Sequence, residues 1–184
     1  MRLVDYASRA ELMAGLAAVI AEQLRDGPLS GPVSLSVPGG TTPGPVFDAL
    51  SAMDLDWARV SVVLNDERWV PEDSSRSNTR LLRERLLTGR AAAARLIPLY
   101  SHGFDAPEGA LAALAAGLAP HLPLMVCLLG MGADMHTASL FPGADRLAEA
   151  LSPDAPLILP MRAEAAGEPR ITLTAPVLAG AKHI

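Results

Sequence analysis

The chain has 184 residues, a formal net charge of -5, and a composition that is 50% hydrophobic but only 4% aromatic. That length suits one domain with a sizeable aliphatic core, and the acidic balance speaks against nucleic acid as a partner. No apolar run is long enough to span a bilayer, and the single cysteine, Cys127, excludes an internal disulfide. The N-terminus, MRLVDYASRAEL, lacks the long apolar core of a signal peptide, so a cytoplasmic protein is expected.

Ser8 to Arg25 is predicted to be an amphipathic helix. Leu12, Leu16, Val19, Ile20 and Leu24 share its apolar face, and Ser8 with Glu11 has capping-box spacing. Gly27 and Pro28 end it. Val33 to Val37 reads as a short strand running into Pro38-Gly39-Gly40-Thr41-Thr42-Pro43 and then a helix. Strand, glycine loop, helix is a geometry that binds phosphate. Glycines let backbone N–H groups approach an anion, and the helix N-terminus adds favourable partial charge. Gly39, Gly40, Thr41 and Thr42 are therefore candidate substrate ligands, although an ordinary strand-to-helix turn has the same pattern. The loop lacks the lysine of a P-loop, which speaks against a nucleoside triphosphate.

Arg59 to Leu64 is the next strand and ends in Asn65-Asp66-Glu67-Arg68-Trp69-Val70-Pro71. A charged run at a strand end is commonly a solvated loop. At the same sheet edge as a glycine loop, Asp66 and Arg68 become site candidates, Arg68 because its planar fork suits phosphate or carboxylate. A helix is expected from about Ser77, with Asn78 near its start in a capping position. RLIPLY at 95–100 is strand-like, and 107–118 is an alanine-rich helix. His102 and His121 fall in loop and turn, and neither has metal-ligand spacing with another His, Cys or Glu.

Leu124 to Leu129 is a short apolar run that reads as a buried strand. It opens into GMGADMHTASLFPG, Gly130 to Gly143, which carries Gly132 and His136, an imidazole able to exchange a proton near neutral pH. Strands at 157–161 and 170–174, with helices at 144–151 and 175–181, complete the chain. The alternation predicts an α/β fold, a Rossmann-like three-layer sandwich with a mainly parallel central sheet. In such a sheet the loops 38–43, 65–71 and 130–143 leave the carboxyl edge together. An anion cradle, a guanidinium, a carboxylate and an imidazole then suit proton-transfer chemistry on a small phosphorylated substrate. There is no G-x-S-x-G elbow, and Met135 stands at the third glycine position of a dinucleotide fingerprint. Neither a nucleophilic serine nor a nucleotide cofactor is expected.

PGGTTP at 38–43, NDERWVP at 65–71, SRSN at 75–78, GMGADMHTASLFPG at 130–143 and PRITLT at 169–174 cover nearly the whole chain. In that order they resemble the 6-phosphogluconolactonase family. The resemblance implies that water attacks the carbonyl of 6-phospho-D-glucono-1,5-lactone, with no metal and no cofactor. It implies a small phosphorylated sugar lactone as partner, not nucleic acid or a membrane. It makes His136 the general base toward water and Arg68 the electrostatic support of the anionic substrate. It places Gly40, Thr41 and Thr42 near the phosphate, and Asp66 and Asn78 at the rim of the site. The oxyanion donor stays open between Arg68 and backbone N–H groups of the 130–133 loop.

Three departures from the family pattern stand out. Met135 occupies a position that is often glycine, which means strain if φ is positive there. Pro38 replaces a more usual serine. The family also continues past the point reached at Ile184, with a further strand and a glycine- and lysine-bearing loop. Residues 1–184 are accordingly expected to form a single lactonase domain without its final C-terminal segment. One alternative is a sugar-phosphate isomerase or deaminase such as glucosamine-6-phosphate deaminase. It is disfavoured because Arg68 follows Glu67 and TASLFPG follows His136. The other is a non-catalytic sugar-phosphate sensor, disfavoured because no basic helix-turn-helix region is visible.

Overall fold

The computed structural model describes residues 3–28 and 33–184. Met1 and Arg2, the start of the N-terminal stretch considered above, lie outside the described residues. The elements run α1 (Arg9–Arg25), β1 (Val33–Val37), α2 (Gly44–Ala52), β2 (Val60–Leu64), β3 (Asp66–Arg68), α3 (Asn78–Arg85), β4 (Arg95–Ile97), α4 (Leu111–Leu118), β5 (Val126–Cys127), α5 (Leu147–Ala150), β6 (Ile158–Met161), β7 (Arg170–Leu173) and α6 (Ala175–Ala179).

β1 and β2 are buried at every position. Parallel strands covered on both faces show this continuous burial rather than alternation. β1 pairs in parallel with β2, Val33 opposite Val60 through Val37 opposite Leu64, and β5 and β4 flank them in the order β4-β2-β1-β5. This is the predicted central sheet. The β5 ladder is shorter than the apolar run 124–129, but Met125 and Leu128 still donate to the carbonyls of Ser34 and Ser36 at 3.1 and 2.9 Å.

The charged run after β2 is not a solvated loop. Asp66-Glu67-Arg68 is strand β3, at one edge of a second, antiparallel sheet of order β3-β7-β6. A charged tripeptide has no hydrophobic period that marks it as a strand; its ladder comes from β7, far along the chain. Asn65 joins the two sheets. Its N–H donates to Val37 O at 2.8 Å and its carbonyl accepts from Leu173 N–H at 2.9 Å. Its side chain accepts from Ser36 Oγ at 2.5 Å and donates to Leu128 O at 2.7 Å. One fully buried amide thus pins the carboxyl ends of β1, β2 and β5 together.

Ser8 caps α1, its Oγ accepting the N–H of Glu11 at 3.2 Å. The buried face, however, is Ala17, Ile20, Ala21 and Leu24, and Val19 is 41% exposed. The two alanines let the helix approach the layer beneath it closely, which turns Leu12 and Val19 outward and leaves Leu16 half-buried against the edge of the core. Leu12 and Leu16 also border a cavity. His121, expected in a turn, does end a single 3-10 turn after α4, and its side chain is buried there.

Candidate active site

The loops leaving β1 and β5, together with strand β3, border one cavity of about 390 Å³. Gly39, Gly40, Thr42, Asp66, Arg68, Asn78, Gly132 and His136 all line it. Of the residues singled out from sequence, only Thr41 does not; it is exposed, and its carbonyl accepts the Gly44 N–H at 3.3 Å.

On the β1 side, Gly40 holds φ at 84°, a conformation natural to glycine. A Cβ on Gly39 would collide with the Asn78 side chain, so that glycine is the condition for Asn78 to reach the cavity wall. α2 follows with Pro43 at its cap and no side chain accepting from its first turn. Its N-terminal partial charge therefore stands at the cavity border unopposed.

On the β3 side, strand alternation sends Asp66 and Arg68 toward the cavity and Glu67 the other way. Asp66 is buried, not at the rim as expected: its Oδ2 accepts from Ser139 Oγ at 2.5 Å and from Arg170 Nη1 at 3.3 Å. Arg68 donates from Nη1 to Arg76 O at 2.5 Å, while its Nε is buried without a partner. Asn78 is not the cap of α3. Ser77 is, accepting from Arg80 N–H at 3.2 Å, which frees Asn78 Nδ2 to donate to Asp66 O at 3.0 Å. Glu67, not singled out from sequence, sits under this helix start. Its Oε1 accepts the N–H groups of Arg68 and Asn78, both at 2.8 Å. Its Oε2 accepts from Thr79 N–H at 2.7 Å and Ser77 Oγ at 3.2 Å. The pairing of an acidic residue with a downstream Ser-Asn-Thr is not a local sequence signal, because Ser77 lies ten positions after Glu67.

On the β5 side, Asp134 Oδ1 lies 2.5 Å from His136 Nδ1. That hydrogen bond, together with backbone N–H donation, holds the Asp134 carboxyl below the usual carboxylate range. An ionised Asp134 can only accept, which makes Nδ1 the donor, so in the neutral imidazole the lone pair is on Nε2. The loop is tight. Gly132 N–H donates to His136 O and Met135 N–H to Gly132 O, both at 2.9 Å, and a Cβ on Gly132 would strike the imidazole. Gly132 thus makes room for His136, and its own N–H is committed and does not serve as an oxyanion donor. Met135 does adopt positive φ, 65°, with its side chain 78% exposed. The His136 ring lies against Phe141, centroids 4.2 Å apart. The Arg170 guanidinium carbon is 5.6 Å from the same Phe141 centroid. Arg170 also lines the cavity, and burial holds its guanidinium below the ordinary value while Asp66 opposes that shift and Arg68 adds to it. Among the described residues no three His, Cys, Asp or Glu side chains are grouped to hold a metal ion.

A parallel sheet with a sugar-phosphate-sized cavity at its carboxyl edge, and an oriented histidine inside it, defines the class. Residues 7–184 match the family described as glucosamine-6-phosphate isomerases/6-phosphogluconolactonase, and the chain belongs to that family. Several of its relatives bear the lactonase name. It is 51% identical over 147 residues to the 6-phosphogluconolactonase of Rhizobium meliloti, covering 78% of this chain and 62% of the relative. It is 47% identical over 171 residues to that of Mesorhizobium japonicum, covering 92% and 72%. The crystal structure of a 6-phosphogluconolactonase from Shewanella baltica superposes with a TM-score of 0.91 at 37% identity, over 96% of this chain and 76% of that one. The chain thus spans between about three fifths and three quarters of the length of these relatives.

Proposed function

We propose that this protein hydrolyses 6-phospho-D-glucono-1,5-lactone to 6-phospho-D-gluconate, the lactone-opening step of the oxidative pentose phosphate route. The observation that carries the reading is the shared cavity, in which His136, Arg68 and the Gly39–Thr42 loop meet although they are far apart in sequence. The relatives' printed names supply the substrate.

In this reading the substrate phosphate lies against the glycine loop and the uncapped start of α2. His136 Nε2 takes a proton from water while Asp134 steadies the imidazolium through Nδ1. The water oxygen bonds to the lactone carbonyl carbon, and the carbonyl oxygen becomes an oxyanion facing guanidinium donors. Collapse of that intermediate breaks the bond to the ring oxygen, which receives the proton from His136. The acid formed then ionises. A lactone is an activated ester, so a positioned base and a stabilised oxyanion suffice without a covalent intermediate. One base contributes about 10²–10⁴-fold and one oxyanion donor roughly 10²–10³-fold. No helix among the described residues is long and apolar enough to cross a membrane, and the reading places the reaction in the cytoplasm.

The test is a coupled assay in which the lactone is generated in place and 6-phosphogluconate formation is followed against spontaneous opening. Wild-type protein should exceed that background by orders of magnitude, and His136→Ala should lose at least about a hundredfold in kcat. Turnover of glucosamine 6-phosphate with none of the lactone would replace this reading with the deaminase. Near wild-type kcat in His136→Ala would remove the base assignment.

A further inference from the structure

Arg170 is the buried charge that the mechanism above leaves without a named duty. β3 and β7 pair with Arg68 directly opposite Arg170 and Asp66 opposite Thr172. Residues opposed across a ladder project from the same face, so both guanidiniums and the Asp66 carboxylate share one side of the second sheet. All three border the cavity. Asp66 Oδ2 is the one carboxylate oxygen bonded to Arg170, and among the described residues Arg68 pairs with no carboxylate. The wall therefore holds two guanidiniums against one carboxylate. Both Nε–H groups are buried and unpartnered, as is the Thr137 Oγ next to His136. Buried donors without acceptors are costly, and paired cations more so, unless an anion is drawn against them.

The position of that anion follows from Phe141. His136 lies against its ring and Arg170 lies over it, at 4.2 and 5.6 Å. The guanidinium and the imidazole thus pack on the same ring and both border the cavity, which puts Arg170 in the His136 neighbourhood of the site. The other positive element of the cavity, the glycine loop before α2, belongs to a different wall, separated from Arg170 by Asn78 and Asp66. A substrate with an anionic phosphate at one end and a developing oxyanion at the other matches two such walls.

We propose that Arg170, together with Arg68, binds the oxygen of the lactone carbonyl, first as the oxyanion and then as a carboxylate oxygen of the product. This rests on the lactonase reading and assigns the oxyanion donor that the committed Gly132 N–H does not supply. Asp66 and the Ala166 carbonyl, which accept from Arg170 Nη1 and Nη2 at 3.3 and 3.0 Å, hold the fork in place.

The test compares two ligands by calorimetry: 6-phosphogluconate, and glucitol 6-phosphate, which keeps the phosphate and lacks the carboxylate. Wild-type protein should prefer 6-phosphogluconate by about ten- to a hundredfold, the usual weight of a charge-assisted pair. Arg170→Met should abolish that preference while leaving glucitol 6-phosphate affinity within about threefold. Arg170→Lys, which keeps the charge and loses the fork, should fall between. If Arg170→Met does not fold, Arg170→Lys decides. In a native-like variant, a preference cut at least threefold supports the proposal and an unchanged preference overturns it. Equal loss of both ligands in a folded variant would make Arg170 a phosphate ligand and also overturn it. Failure of the wild type to bind either ligand would overturn the lactonase reading itself, and this assignment with it.

Discussion

Replacing Glu67 by glutamine tests how the second sheet and α3 are joined. The carboxylate accepts two hydrogen bonds on each oxygen: Arg68 and Asn78 N–H on Oε1, Thr79 N–H and Ser77 Oγ on Oε2. Glutamine keeps the shape but turns one oxygen into an NH₂ group that faces donors. Two hydrogen bonds to a charged acceptor are lost, each worth roughly 1.5–3 kcal/mol. No longer burying a charge offsets part of this, leaving a destabilisation of about 2–4 kcal/mol. For a domain of this size that lowers Tm by roughly 4–16 °C. Because Oε1 holds the backbone of both Arg68 and Asn78, kcat/KM should fall as well, in protein that is still folded at the assay temperature. Thermal and urea unfolding of Glu67→Gln, followed by the coupled lactone assay at 25 °C, measures both effects. A stability change below about 0.5 kcal/mol would show that these contacts do not carry the helix start, and the argument for Glu67 would fail.

Other perturbations reach separate parts of the molecule. Asp134→Asn removes the charge that orients His136 through its 2.5 Å contact with Nδ1, and kcat should drop about ten- to a hundredfold with KM little changed. An unaltered kcat would mean that the imidazole needs no partner. Met135→Gly relieves a positive φ of 65° at an exposed side chain, and should raise stability by up to about 1 kcal/mol in urea unfolding. A loss of stability there would show that the methionine packs to some purpose. Asp48, Glu108 and Glu168 titrate below their ordinary values of 3.8 and 4.5, chiefly through hydrogen bonds from Arg85, Arg162 and Arg76. Their folded-state values are depressed, so the stability they add is present above about pH 4.5 and lost as pH falls through the lowered values. Tm should decline from pH 4.5 to pH 3, and by less in 1 M salt because these pairs are exposed. A flat profile over that interval would contradict the assignment.

Much of this molecule follows from local pattern. β1 (VSLSV) and β2 (VSVVL) are short runs rich in β-branched valine, so both strands are legible without a partner in view, whereas the burial of Ser34, Ser36 and Ser61 on the second face of the sheet is not. The glycine loop, the strand-end placement of Arg68 and the loop histidine are legible as well: each is a local exception to its surroundings. What local pattern does not carry is anything whose partner lies elsewhere. Val19 belongs to the apolar stripe of α1 but is exposed, because close packing of Ala17 and Ala21 sets the rotation of the helix. Asp66-Glu67-Arg68 has the composition of a surface loop and becomes a strand only when β7 offers it a ladder. That pairing turns Glu67 under α3, buries Asp66 against Ser139, and sets Arg170 beside Arg68. Sequence by itself determined which residues are chemically suited to the site; tertiary pairing decided which of them face one another, because a hydrogen-bonding ladder depends on spatial neighbours that no local window contains.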